Sequence, residues 1–376
     1  MVELISYWKA VCPPMVSVPI ALTPEQAGFW KKLYYNGLGE FFYLNGIDAD
    51  PETFMEISTD SGQEIFPAEF PTNPERVLVP VGGGKDSVVT LELLKNEFDV
   101  IPMAINPGRA ILDTIGVSGV GSDKGVFIRR SIDPLLIELN ARGFLNGHTP
   151  FSALLAFVSL LAAGNTGSAY IALSNESSAN EPTVPGGANH QYSKSLEFER
   201  DFRAYASRWV TPNTEYFSFL RPLTELEIAR LFSGMKDYHP VFRSCNRGSK
   251  EGVWCGRCPK CLFTAVILGP YIAREELKNI FGRDILDDSS LWPELQELCG
   301  IKAVKPFECV GTVSEVNLAL SMIRQKYDPD LPALIRFWDE SAKAVNIEPD
   351  TGFNTDRTEH FLPERFLKIL KGAAGQ

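Results

Sequence analysis

Two stretches of the chain carry residue types at spacings that do chemistry. The first is Gly82-Gly83-Gly84-Lys85-Asp86-Ser87. Three consecutive glycines let the backbone pass close to a ligand with no Cβ in the way. The amides of such a turn, added to the free amides of a following helical turn, make a nest for an anion. Lys85 adds a mobile positive charge and Ser87 a hydroxyl. Asp86 suits such a nest only if it holds the loop shape or a magnesium ion. The pattern is not a Walker A loop, which ends in Gly-Lys-Ser/Thr; here the lysine is followed by Asp86. On its residues alone the stretch is either a phosphate loop or a plain glycine turn in an α/β sheet. The second stretch is Cys245, Cys255, Cys258 and Cys261, spaced C-x9-C-x2-C-x2-C. Two-residue turns let thiolates converge on one ion, and four thiolates suit a closed tetrahedral zinc site. An iron–sulfur cluster and unmetallated thiols are the alternatives. Arg247, Lys250, Arg257 and Lys260 stand near the cysteines and offset a tetrathiolate's charge.

The elements that position these residues read as an α/β fold. Apolar Val77 to Val81 enter the glycine turn, and Val88, Val89, Leu91 and Leu94 leave it at helical spacing. A second strand over 100–106 ends at Asn106, and a third over 125–130 ends in Arg129 and Arg130. Open parallel sheets bind ligands beyond the carboxyl ends of their strands. Asn106 therefore lies where an adenine or ribose sits, and the two arginines are either phosphate or carboxylate anchors or solvated surface charges. His148 precedes an apolar helix over 153–163, with Thr149 or a neighbour as its cap and Pro150 near the first turn. It is either a ligand contact or base, or a hydrogen-bonded structural histidine.

A strand over 168–173 runs into polar Asn175, Glu176 and Asn180, candidates for magnesium, ribose or substrate. The glycine- and proline-containing segment 182–188 follows as a possible lid. His190 and Lys194 then precede a helix over 196–209, in a run suited to anion recognition or to an exposed linker. Thr224 and Glu227 form a capping box, with Arg221 just ahead of it. The segment Lys305 to Thr312 places a Lys, Glu, Cys and Thr before a helix; Cys309 is a base or a small buried residue.

Three regions follow. Residues 1–74 form an aromatic-rich cap, with a helix starting at Thr23-Pro24 and ending near Asn36-Gly37. Residues 75–270 form the nucleotide domain, with the cysteine knuckle at 245–261. Residues 271–376 are mostly helical. The chain's 376 residues suffice for a substantial core and two domains. The net charge of −11 argues against a broad basic surface for nucleic acid. No apolar run is long enough to cross a bilayer, and the first residues show no secretory pattern. The odd count of seven cysteines and the clustering of four of them point to a metal site in a reducing compartment rather than disulfides, so the expected location is cytoplasmic.

The glycine loop resembles that of the ATP pyrophosphatase (PP-loop) superfamily, usually Ser-Gly-Gly-x-Asp-Ser, with Gly82 in place of the leading serine. The resemblance implies a Rossmann-like parallel sheet of the adenine nucleotide alpha-hydrolase type. It also implies cleavage of ATP between its α and β phosphates, with AMP passed to an oxygen of the substrate. Residues 175–181, 189–195, 254–261 and 305–312 together resemble the MurL family, ATP-dependent UDP-N-acetylmuramoyl-L-alanyl-L-glutamate epimerases of peptidoglycan synthesis.

Under that resemblance ATP, magnesium and a structural zinc are the cofactors, and a UDP-linked muramoyl dipeptide is the substrate. The process served is cell-wall biogenesis, with cell shape and division depending on it. Gly82 to Ser87, Asn106 and His148 bind the nucleotide. Lys85 neutralises developing charge and Asp86 orients magnesium. His190, Cys309 and Glu176 are candidates for the proton transfers. Arg129, Arg130, Asn175, Asn180, Lys194, Arg221 and Lys305 anchor the substrate. The competing readings are another adenylating enzyme (amide ligase, nitrile synthase or tRNA thiolase) and a non-catalytic ATP-binding protein. The oligomeric state is left open.

Overall fold

Strand β3 (Asn73–Pro80) is the centre of the molecule. Its last four residues are buried on both faces, as expected of a parallel strand covered by helices on either side. Side chains alternate across it. Val77 and Val79 enter one core, and Leu78 enters the other. The computed structural model describes residues 1–59, 66–181, 189–248, 251–345 and 359–375. Lys250 and the expected lid over 182–188 lie outside these residues.

Among the described residues two strands precede β3: β1 (Met15–Val18) and β2 (Glu56–Thr59), paired parallel in a small separate sheet. Among the described residues four follow it: β4 (Asp99–Ile105), β5 (Val126–Ile128), β6 (Ser168–Leu173) and β7 (Glu215–Ser218). The main sheet has the order β5-β4-β3-β6-β7, with every pair parallel. The chain therefore winds outward from β3 to β5, crosses back, and continues through β6 to β7. The order reverses between β3 and β6. In such a sheet the crevice for ligands opens at that point, beyond the carboxyl ends of the two strands. The glycine loop leaves β3 there, and Asn175 and Glu176 leave β6 there.

The fold is thus mixed α/β with parallel sheets and a helical C-terminal region. One face of the main sheet carries the helices Lys85–Leu94, Glu225–Ser233 and Pro259–Leu268, with the C-terminal helices packed around them. The other face carries Phe151–Thr166, Leu196–Trp209 and the N-terminal helix Pro24–Gly37. The expected regions share these cores. Trp30, Tyr34 and Phe41 of residues 1–74 lie in one cluster with Leu78, Met103 and Phe202. Leu320, Trp338 and Phe366 of residues 271–376 lie in one cluster with Val79, Val89 and Phe217.

Caps appear largely where the sequence puts them. Thr23 and Thr224 each close a full capping box, with Gln26 and Glu227. Thr149 does not cap the helix at 151. Pro150 holds that position and makes no side-chain cap bond, because proline's fixed φ suits the entry to a helix. Among the described residues no helix is long and apolar enough to cross a membrane.

Candidate active site

The glycine loop turns directly from β3 into the helix Lys85–Leu94, with Gly84 as its N-cap. Gly83 sits at φ +77°, and a Cβ there would lie 3.2 Å from the backbone of Ala110 and Ile111. Only glycine fits that turn. Arg243 N–H donates to the Gly83 carbonyl at 2.8 Å, tying the loop to the segment that leads into the cysteines. Ser87 Oγ donates to the Gly84 carbonyl at 2.9 Å, so its hydroxyl shapes the loop.

Lys85 is buried and pairs with both Asp86 and Glu225. Burial opposes its charge, but these two carboxylates outweigh that and raise its pKa. Burial likewise opposes ionisation of Asp86, and Lys85 overcomes it, keeping the carboxyl below its usual range. Glu225 is pushed up to about 8 by burial, with Asp86 and Glu176 adding to the shift against Lys85. Its backbone N–H donates to Glu315 Oε1 at 2.7 Å.

A second group of side chains adjoins the first. Lys194 Nζ donates to Cys309 Sγ at 3.2 Å, and it also feels the charges of Glu176 and Asp86. His190 hydrogen-bonds Cys309 and, through Nδ1, Glu40. Burial works against a Cys309 thiolate, but Lys194 and His190 bring its pKa down to about 6. Burial also works against charge on His190, yet its bonds to Cys309 and Glu40 raise it to about 9. His148 goes the other way, to about 4, through burial first and then the neighbouring His190 charge. Its ring centroid lies 4.4 Å from that of His190. These shifts favour, at neutral pH, a Cys309 thiolate between the Lys194 ammonium and a His190 imidazolium, with Glu40 bonded to the latter. The Cys309 carbonyl accepts from Lys260. The Glu40, His148 and His190 ligand atoms lie within 4.8 Å of one another.

The other expected residues divide. Glu176 is buried, accepts from Ser178 Oγ at 3.1 Å, and lies close enough to act on Lys194. Asn175 donates to Ser218 at 3.0 Å. Asn180 accepts the Leu196 amide at 2.8 Å. Lys305 pairs with Glu181. Arg221 is fully buried. Its guanidinium holds the Glu176 carbonyl at 2.6 Å, the Lys194 carbonyl at 2.5 Å and the Glu199 carboxylate at 3.1 Å. That position braces the site from beneath and gives Arg221 no face toward a substrate. Arg130 is paired with Glu3 at 2.8 Å, and Arg129 is exposed. Asn106 has φ +47° and clasps the Arg130 backbone through both side-chain atoms. These three stand at the β4–β5 edge of the sheet.

Cys245, Cys255, Cys258 and Cys261 bring their sulfurs within 4.8 Å of one another. Three of the pairs measure 3.4, 3.7 and 3.8 Å. A tetrahedron of Zn–S bonds of about 2.3 Å has edges of about 3.8 Å, so the four thiols fit one zinc ion. Backbone amides of Gly248 and Cys255 point at the Cys245 sulfur, as a thiolate favours.

The MurL N-terminal domain model matches residues 1–219, and the MurL C-terminal domain model matches residues 241–350. The chain belongs to the MurL family. Its relatives in MurL include UDP-N-acetyl-alpha-D-muramoyl-L-alanyl-L-glutamate epimerases from three organisms. That of Salinispora tropica is 37% identical, covering 97% of this chain and 81% of that protein. That of Micromonospora sp. is 35% identical, with 97% and 83% covered. That of Xanthomonas oryzae pv. oryzae is 34% identical, with 88% and 75% covered. In this MurL chain the two family segments meet at the site: His190 and Lys194 come from the first, Cys309 from the second.

Four contributors were not singled out for the site from the sequence. Glu40 lies in the aromatic-rich helix Gly39–Leu44, 150 positions from His190. Glu225 and Glu315 are first-turn acids of helices closed by capping boxes. Lys260 read as a counter-charge for the cysteines. The only local signal was a carboxylate set among apolar residues, as at Glu40.

Proposed function

We propose that this chain epimerises the terminal L-glutamate of a UDP-N-acetylmuramoyl-L-alanyl-L-glutamate through an adenylated carboxylate, on a PP-loop type of nucleotide domain. The observation that carries the reading is the junction of the two groups: a glycine loop ending in Lys85 and Asp86, beside a Cys309 sulfur bonded by Lys194 and His190.

The chemistry needs both. An ionised carboxylate resists loss of the neighbouring α-proton, because the product is a dianion. Attack of that carboxylate on the α-phosphorus of ATP releases diphosphate and leaves an acyl-adenylate, whose carbonyl no longer carries the carboxylate charge. The amides of residues 82–87 and the Lys85 ammonium stabilise the departing diphosphate. Asp86, ionised and partly exposed at the loop mouth, is the residue to hold a magnesium ion, which supplies charge neutralisation on phosphate oxygens.

With the carboxylate masked, the Cys309 thiolate takes the α-proton. Inversion then needs a proton delivered to the opposite face of Cα, and the protonated His190 and Lys194 are the candidate donors. Water then cleaves the acyl-adenylate to the carboxylate and AMP. The cysteine knuckle fits a structural zinc, and a location in the cytoplasm follows from a nucleotide-linked substrate.

The test is one incubation in deuterium oxide with magnesium-ATP and the UDP-linked dipeptide, followed by hydrolysis and chiral separation. D-glutamate labelled at Cα, with AMP and diphosphate, is the expected result. AMP without change at Cα would sink the epimerase and keep only the adenylating half.

A further inference from the structure

An open cavity of about 790 Å³ lies between the N-terminal helices and the segments around Asn180 and Asn189. Its size is within the roughly 300–1,000 Å³ of small-molecule sites. One wall comes from the N-terminal helices and includes Tyr35, Asn36 and Tyr43; the other includes Asn180 and Asn189. Three of its lining residues are next in sequence to members of the reacting cluster. Gly39 precedes Glu40, Asn189 precedes His190, and Ser195 follows Lys194. The Tyr43 ring lies 5.6 Å from that of Phe307, which in turn lies 6.4 Å from His190. Lys194 links this cluster to the proposed phosphate nest, since it feels the charges of both Cys309 and Asp86.

The chemistry of the lining selects the occupant. Among the described residues it has aromatic rings and side-chain amides, but no Lys or Arg, and it includes the carboxylates Asp48 and Glu197, the latter paired with Lys32 at 2.7 Å. Such a wall disfavours a diphosphate, which seeks arginines, lysines or helix amides. It suits an uncharged ring with hydroxyl and acetamido groups. Rings stack against its apolar edges, and amides pair with its polar ones.

We infer that this cavity is the subsite for the N-acetylated muramoyl sugar and the alanyl arm leading to the reacting glutamate, with the diphosphate lying outside it. The inference rests on the epimerase reading above and adds where its substrate's uncharged part is held. The terminal glutamate then reaches the Cys309 thiolate between the sugar subsite and the nucleotide loop. Recognition comes from the N-terminal helices, and chemistry from the loops of residues 189–195 and 305–312.

The test is a titration of three ligands, L-Ala-L-Glu, MurNAc-L-Ala-L-Glu and UDP-MurNAc-L-Ala-L-Glu, against the full chain and the variants Tyr43→Ala and Asn36→Ala. Tyr43 is half exposed, so its truncation leaves the core intact. Each variant is expected to weaken both sugar-bearing ligands by about tenfold, the worth of one stacked or hydrogen-bonded contact. Binding of the bare dipeptide stays unchanged. Equal weakening of all three ligands, or of none, overturns the inference. A wild-type protein that binds the sugar ligands through these residues yet inverts no glutamate would instead overturn the epimerase reading alone.

Discussion

At the residue scale the site is a set of opposed charges whose protonation is fixed by neighbours. Cys309 is brought down to about 6 against burial by Lys194 and His190, so its thiolate is present above that pH and lost as pH falls through it. His190 is raised to about 9 against burial by Cys309 and Glu40, so its imidazolium is present below that pH and lost as pH rises through it. A kcat/KM profile for inversion is therefore expected to be bell-shaped, with limbs near these two values, which belong to the coupled pair. Cys309→Ala should abolish Cα exchange while leaving AMP formation measurable; a flat acid limb in the native protein would speak against a thiolate base. Glu225 acts one step further back. It holds Lys85 and is itself held by Glu315. Glu225→Ala leaves Lys85 with Asp86 alone and should lower kcat/KM for ATP by about tenfold or more, the worth of a lost bond to a charged group. Glu225→Gln keeps an acceptor for Lys85 and should recover most of that. Equal activity in both variants would remove Glu225 from the reaction.

At the element scale, the turn from β3 into its helix rests on one backbone conformation. Gly83→Ala puts a Cβ against the Ala110–Ile111 backbone at a positive φ. The strain is about 1–2 kcal/mol before any clash. The expected outcome is a folded protein with weakened ATP binding, read by nucleotide titration; unchanged affinity would mean the loop does not hold phosphate in this conformation. This turn was legible in the sequence because its signal is local: a valine run, three glycines, then helical spacing. The strand at 168–173 and the helix at 196–209 were legible for the same reason, and the structure places them at Ser168–Leu173 and Leu196–Trp209. What stayed hidden was contact across the chain. His190 and Cys309 stood out singly, but Glu40 joins them through folding alone. Arg221 looked like an anchor beside its capping box, and only the three-dimensional arrangement buries it under Glu176 and Lys194.

At the scale of the whole molecule, the cysteine knuckle joins the two halves of the chemistry. Cys245, Cys258 and Cys261 are buried within the larger core, beside Trp254 and Phe242. From the knuckle and its flanks run three ties. Arg243 N–H holds the glycine loop at 2.8 Å, Lys260 holds the Cys309 carbonyl, and Asn246 holds Glu308 at 2.5 Å. A tetrathiolate without a metal would concentrate negative charge in that core, and four neutral thiols would lose the geometry that aims these ties. Metal removal should therefore act on stability and on both half-reactions together. Metal analysis of the native protein is expected to find one zinc per chain. Cys258→Ser should abolish it, lower Tm, and reduce AMP formation and Cα exchange in parallel. A site serving only local stability would lower Tm and leave kcat/KM of the surviving folded protein unchanged. Loss of exchange alone would show that the knuckle positions the Cys309 loop and not the nucleotide loop.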